Sequence, residues 1–214
     1  MFTCHLPGRA GLALLAAIAA SAVAPAAAKP ANPPDCRDVA AAAERRHDIP
    51  LRLLAAISLA ETGRWDRARR APIAWPWTVF AEGRGRFLPD KASAVAEVQA
   101  LQARGVRNID VGCMQVNLKY HPEAFASLEE ALEPASNVAF AAGFLSRLRQ
   151  NHRSWSVAVA RYHSSTRALN RPYRRKVMKL WHEERWRFYR ARHAAARAAA
   201  AERRRSRDRG RPES

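Results

Sequence analysis

The alternation of apolar and polar positions changes period along the chain and marks out its elements. The densest apolar run is Leu51-Arg-Leu-Leu-Ala-Ala-Ile-Ser-Leu-Ala-Glu61-Thr62-Gly63, which predicts a short buried helix ending in a carboxylate. Leu54, Ile57 and Glu61 fall on one helical line, so the one acid in the run projects from the face that carries core residues. Asp48 suits an N-cap, Pro50 a first-turn position and Gly63 a stop. Ahead of it, the Ala-rich stretch from Asp38 to His47 reads as a helix broken at Asp48-Ile-Pro50.

From Arg69 to Asp90 the texture turns aromatic and β-branched. Ala74-Trp-Pro-Trp77-Thr-Val-Phe80, a turn at Glu82-Gly-Arg-Gly85 and the return Arg86-Phe-Leu88 predict a small β-hairpin. Asp90 is placed to cap a helix from Lys91 to Arg104, with Ala94, Val95, Val98 and Leu101 inward and Gly105 as its end. Arg107 to Asn117 reads as a loop entering a buried, irregular segment. Ser127 to Glu133 predicts a short Ser-capped helix broken by Pro134, and Ala135 to Asn151 an amphipathic one with Val138, Ala141, Ala142, Leu145 and Leu148 inward. Ser154 is placed to cap Trp155 to Tyr162, with Val157, Val159 and Tyr162 as core positions. After Pro172 the pattern predicts a long Arg-rich and Ala-rich helix to about Glu202, anchored by Trp181, Trp186 and Tyr189. The last dozen residues lack apolar content and are expected to be disordered. The expected class is mainly α, with a small β-hairpin insertion and a long basic C-terminal helix.

Length and composition add organisation. The 214 residues suffice for one domain with appendages. Arg9, the apolar run Leu12 to Val23 and Ala26-Ala27-Ala28 before Lys29 form the pattern of a cleavable signal peptide over residues 1–28. An uncleaved anchor is the alternative. A Pro-rich spacer (29–35), a catalytic-type domain (36–180) and a basic helical to disordered tail (181–214) follow. With Cys4 removed with the signal, Cys36 and Cys113 are the natural disulfide pair in an oxidising compartment, against two buried thiols. The seven His are scattered and no Cys-x-x-Cys occurs, so no metal site is expected. From Ser165 onward there are 17 Arg or Lys against 5 Asp or Glu, a net +12 of the chain's +18. Behind an export signal such a tail points to anionic envelope surfaces rather than nucleic acid, with a merely solvated helix as the bland alternative.

The candidate chemistry centres on Glu61. Burial and the negative end of a helix dipole both raise a carboxyl pKa, and a Glu protonated near neutral pH can act as a general acid. A carboxylate leaning out to solvent is the competing reading. Three pieces stand in order: Ala60-Glu61-Thr62-Gly63, Gly112-Cys-Met-Gln115-Val-Asn117 and Ala158-Val-Ala-Arg-Tyr162-His163-Ser164. Over roughly Cys36 to Lys179 this ordered triple resembles the lytic transglycosylase family with the goose-type lysozyme-like fold. Trp-Pro-Trp-Thr and Glu-Gly-Arg-Gly between the first two pieces resemble its secretion-associated subgroup.

The resemblance implies an exported, cofactor-free enzyme acting on peptidoglycan glycan strands, with a secretion or envelope-spanning machine as a further partner. Glu61 would be the single acid/base. Gln115 and Asn117 would line the cleft, Met114 would be an apolar cleft or core residue, and the Tyr162 hydroxyl would point toward the catalytic carboxyl. Thr62, Cys113 and His163-Ser164 depart from the usual Ser, apolar residue and Asn-Ala. Bland alternatives stand beside these roles: Gln115 and Asn117 satisfying backbone groups, Tyr162 as a core aromatic, and Trp75 and Trp77 packing under the hairpin rather than stacking on sugars. Asp110 or Glu82 could supply a second carboxylate, which would make the enzyme a hydrolytic muramidase. A non-catalytic wall-binding or assembly protein is the reading from a different class.

Overall fold

The computed structural model describes residues 35–209, and the expected signal peptide, with nearly all of the spacer, lies outside them. The chain is mainly helical, as its pattern predicts. Helix α1 (Cys36–Arg46) and helix α2 (Leu53–Thr62) come first, followed by strands β1 (Gly63–Asp66) and β2 (Ala71–Ala74). Strands β3 (Thr78–Ala81) and β4 (Arg84–Phe87) precede helix α3 (Lys91–Ala103), and strands β5 (Ile109–Val111) and β6 (Val116–Asn117) come after it. Helices α4 (Leu128–Ala131), α5 (Pro134–His152), α6 (Trp155–His163) and α7 (Arg167–Arg209) complete the order.

Helix α2 is the axis of the larger core. Every residue from Leu53 to Ala60 is buried; the helix lies against α1, α7 and the β1–β2 hairpin, in one core with residues of α5 and α6. Its N-terminus is not capped from Asp48. Asp48 and Arg52 both take left-handed backbone conformations, and Arg52 precedes the first helical residue without a side-chain cap. The cap comes from α1. The buried Glu44 carboxylate accepts from the N–H groups of Arg52 at 2.7 Å and Leu54 at 2.8 Å. Its two oxygens satisfy donors that the helix itself leaves unpaired.

The hairpin is found at β3–β4, with Glu82 and Gly83 both at positive φ in a two-residue turn. It belongs to a larger sheet of order β4-β3-β5-β6, antiparallel throughout, and a second hairpin pairs β1 with β2. Neither was expected from the pattern, β5 and β6 being only three and two residues long. The inner face of the sheet (Val79, Ala81, Ile109, Val111) packs on Ala94, Val95, Val98 and Leu101 of α3 to form the smaller core. The expected caps at Asp90, Ser127 and Ser154 are all in place.

Helix α7 differs from expectation at both ends. It begins at Arg167, five residues ahead of Pro172, so the proline lies inside the helix at the loss of one backbone hydrogen bond instead of marking its start. It runs without a break past residue 181 to Arg209, so most of the stretch expected to be disordered is helical, and 210–214 lie outside the described residues. Its docked face is Tyr173, Val177, Leu180, Trp181 and Glu184. Trp181 is an anchor, donating to the Leu51 carbonyl, but Trp186 and Tyr189 are exposed. Cys36 and Cys113 form a disulfide that ties the start of α1 to the β5–β6 turn. No helix among the described residues is long and apolar enough to cross a membrane.

Candidate active site

A groove of about 480 Å³ opens between α2, the outer face of the four-stranded sheet and the α5–α6 pair. Glu61, Phe80, Asp110, Gln115, Asn117, Tyr162 and His163 are among its lining residues. Glu61 reaches it from the last turn of α2, half-buried. Thr62 fixes that turn, its one hydroxyl proton shared between the carbonyls of Ser58 at 3.0 Å and Cys113 at 3.2 Å. The helix carrying the acid is thus bonded directly to the segment carrying Gln115.

Burial pushes the Glu61 carboxyl from its ordinary 4.5 up to about 7. A hydrogen bond from Tyr173 and the charge of Lys176 pull the other way, and Asp110 adds to the rise. The Tyr173 hydroxyl donates to Glu61 Oε1 at 2.6 Å, while Oε2 has no hydrogen-bond partner among the described residues. Lys176 donates to the Ala60 carbonyl at 2.6 Å, answering one of the last free carbonyls of α2. Tyr173 and Lys176 sit one turn apart on α7, so the part of that helix inside the expected 36–180 domain completes the site.

Tyr162 therefore does not hold the carboxyl. Its hydroxyl donates to the Met114 carbonyl at 2.8 Å, and its ring packs beside Phe144 in the groove wall. The hydroxyl that bonds the carboxyl comes from α7, while Tyr162, near enough for the Glu61 charge to act on it, gives its proton to the Met114 carbonyl. A signal for Tyr173 was present: Tyr173, Val177 and Trp181 recur at helical spacing, marking this face as buried.

The segment after Val111 depends on two residues. Gly112 has φ +80°, and a Cβ there would overlap the Asn137 amide. That amide is buried and fully used: Oδ1 accepts from Met114 N at 2.9 Å, and Nδ2 donates to the carbonyls of Val111 and Ala131. Met114 is wholly buried in the larger core and does not line the groove. Gln115, also at positive φ, donates to the carbonyls of Thr78 and Gly112, which leaves its Oε1 without a partner among the described residues. Asn117 donates to Asp110 and Asn108, both at 2.7 Å, and accepts from the N–H groups of Lys119 and Tyr120. It is a positioning residue for Asp110, with its amide already saturated.

No protein-family model matches the chain, and no curated protein or solved structure matches it. The chemistry is set by the groove's own groups. Asp110 is a second carboxyl in it, raised by burial and partly lowered by Asn117 and by His163. His163 stacks flat on Tyr173, with ring centres 4.4 Å apart, and burial lowers its pKa. Glu82 is elsewhere, at the hairpin turn, paired with Arg104 at 2.9 Å and Arg86 at 3.6 Å. Trp75 and Trp77 pack edge to face beneath the hairpin, outside the groove lining. No cluster of His, Cys, Asp and Glu able to hold a metal occurs among the described residues. What the groove presents is a carboxylic acid with one oxygen tied to a phenol, the other open, and a pKa matched to proton donation and return at neutral pH.

Proposed function

We propose that this chain is a peptidoglycan lytic transglycosylase in which Glu61 serves as acid and then as base. The observation that carries the reading is Glu61 itself: a helix-end carboxyl lining a groove, with a pKa near 7 and one unpartnered oxygen. The resemblance of the three ordered motifs to that family, with its goose-type lysozyme-like fold, supplies the substrate.

Tyr173 marks Oε1 as an acceptor, so the proton of the neutral acid belongs on Oε2. From there it passes to the glycosidic oxygen linking N-acetylmuramic acid to N-acetylglucosamine, and the C1–oxygen bond breaks. The muramoyl acetamido group stabilises the cationic sugar. The new carboxylate is held by the Tyr173 hydrogen bond and the Lys176 charge. It then takes the proton of the sugar's own 6-hydroxyl, whose oxygen closes on C1 to give a 1,6-anhydro end without water. Gln115 offers its free amide oxygen to a sugar hydroxyl or N–H.

Asp110 favours a second reading. It lines the same groove, is near enough to raise the Glu61 pKa and is held by Asn117. A water positioned by Asp110 would make the enzyme a hydrolytic muramidase. Mass spectrometry of the fragments released from purified cell-wall sacculi separates the two: anhydromuramoyl ends support the first, reducing muramoyl ends the second. No release by the disulfide-bonded protein would leave a non-catalytic wall-binding role. Export fits the disulfide, and the exposed Arg-rich half of α7 suits an anionic envelope surface or an envelope-spanning machine.

A further inference from the structure

The sheet register carries the groove beyond the lining described above. Gly85, Phe80, Asp110 and Asn117 form one row across the four strands, each directly opposite the next. Side chains along a strand alternate between faces, so this row shares the outer face with Phe87, the diagonal neighbour of Phe80. Both rings are exposed, Phe80 at 41% and Phe87 at 45%, although the opposite face of β3, carrying Val79 and Ala81, is fully buried. Gly85 takes no positive φ, so its backbone does not demand glycine; its missing side chain leaves the Phe80 ring uncovered.

The strip ends on a cation. The Arg64 guanidinium lies over the Trp75 ring at 3.9 Å and near the Phe87 ring at 5.7 Å, and it forms no ion pair among the described residues. Aromatic rings hold it in place and leave its donors for something else. An apolar strip on a sheet face, continuous with a polar groove and ending in a pre-positioned, unpaired Arg, matches a sugar polymer that bears carboxylates. Pyranose rings have C–H faces that pack on aromatic rings, and a carboxylate suits a guanidinium.

We propose that Phe80, Phe87 and Arg64 form an extended subsite that binds the strand beyond the bond at Glu61, with Arg64 pairing with a carboxylate carried by the sugar or its peptide substituent. This rests on the polysaccharide reading of the groove, and it adds a determinant of chain length and charge. Phe87 and Arg64 lie outside the groove lining, so they can be changed without touching Glu61 or its partners.

The test measures binding to the full-length Glu61→Gln protein, which cannot turn substrate over. The probes are a disaccharide and an octasaccharide of alternating N-acetylglucosamine and N-acetylmuramic acid, titrated by calorimetry. Adding Phe87→Ala should weaken the octasaccharide about three- to tenfold and leave the disaccharide unchanged, and Phe87→Tyr should restore the loss. Arg64→Gln should weaken the octasaccharide to a similar degree, but not a version with its carboxylates reduced to alcohols. Tight octasaccharide binding that ignores both substitutions, or equal losses for the two lengths, would overturn the subsite. Failure of Glu61→Gln to bind either sugar would instead overturn the polysaccharide reading, and the subsite with it.

Discussion

Replacing Glu61 by Gln tests the burial of that carboxyl through stability as well as through activity. Gln keeps the size of the side chain and an oxygen to accept from Tyr173, but it carries no charge at any pH. In the folded protein the Glu61 pKa is about 7, against 4.5 for the free side chain. A carboxyl raised in this way contributes stability while protonated; the contribution is complete below 4.5 and is lost as pH rises through about 7. That difference corresponds to about 3 kcal/mol, and water in the groove, to which Glu61 is partly open, should reduce it to about 1–2 kcal/mol. Wild-type and Glu61→Gln proteins should therefore unfold alike near pH 4. Near pH 8 the variant should be the more stable, by about 2–8 °C in Tm. Urea or thermal unfolding across that range measures it, while turnover of the variant should be abolished. A stability difference that does not change with pH, or a wild type that gains on the variant as pH rises, would refute the account of Glu61 as a carboxyl kept neutral by burial.

Two further outcomes follow from its neighbours. Tyr173→Phe removes a hydrogen bond that favours the charged carboxyl, so the alkaline limb of the pH–rate profile should move up by about 1–2 pH units while kcat falls; Tyr162→Phe, whose hydroxyl serves Met114, should leave that limb in place. Gly112→Ala places a Cβ at φ +80° against the Asn137 amide and should cost about 2–4 kcal/mol in denaturant unfolding; near-neutral stability would show that the amide can give way.

The sequence alone determined what depends on neighbours close along the chain. Helices α3, α5 and α6 were legible because their apolar positions recur every three or four residues, and because Asp90 and Ser154 satisfy amides only three residues away. Glu61 was legible as a candidate for the same reason, as the lone acid in the inward register of an apolar helix, but whether it faced a groove or leaned out to solvent was not. The tertiary structure decided everything that needed a distant partner. Glu44 caps a helix in place of Asp48 because α1 lies against its first turn, and no local spacing encodes that approach. Strands β5 and β6 were unreadable at two or three residues each; β5 pairs along the free edge of β3, and β6 along that of β5. Which tyrosine serves Glu61 was settled in the same way. Both feel its charge, but Tyr162 donates to the Met114 carbonyl, and the docking of α7 on α2 brings the Tyr173 hydroxyl to the carboxyl and Lys176 to the neighbouring Ala60 carbonyl. Local periodicity fixes which face of a segment turns inward; what it meets there depends on how the helices pack.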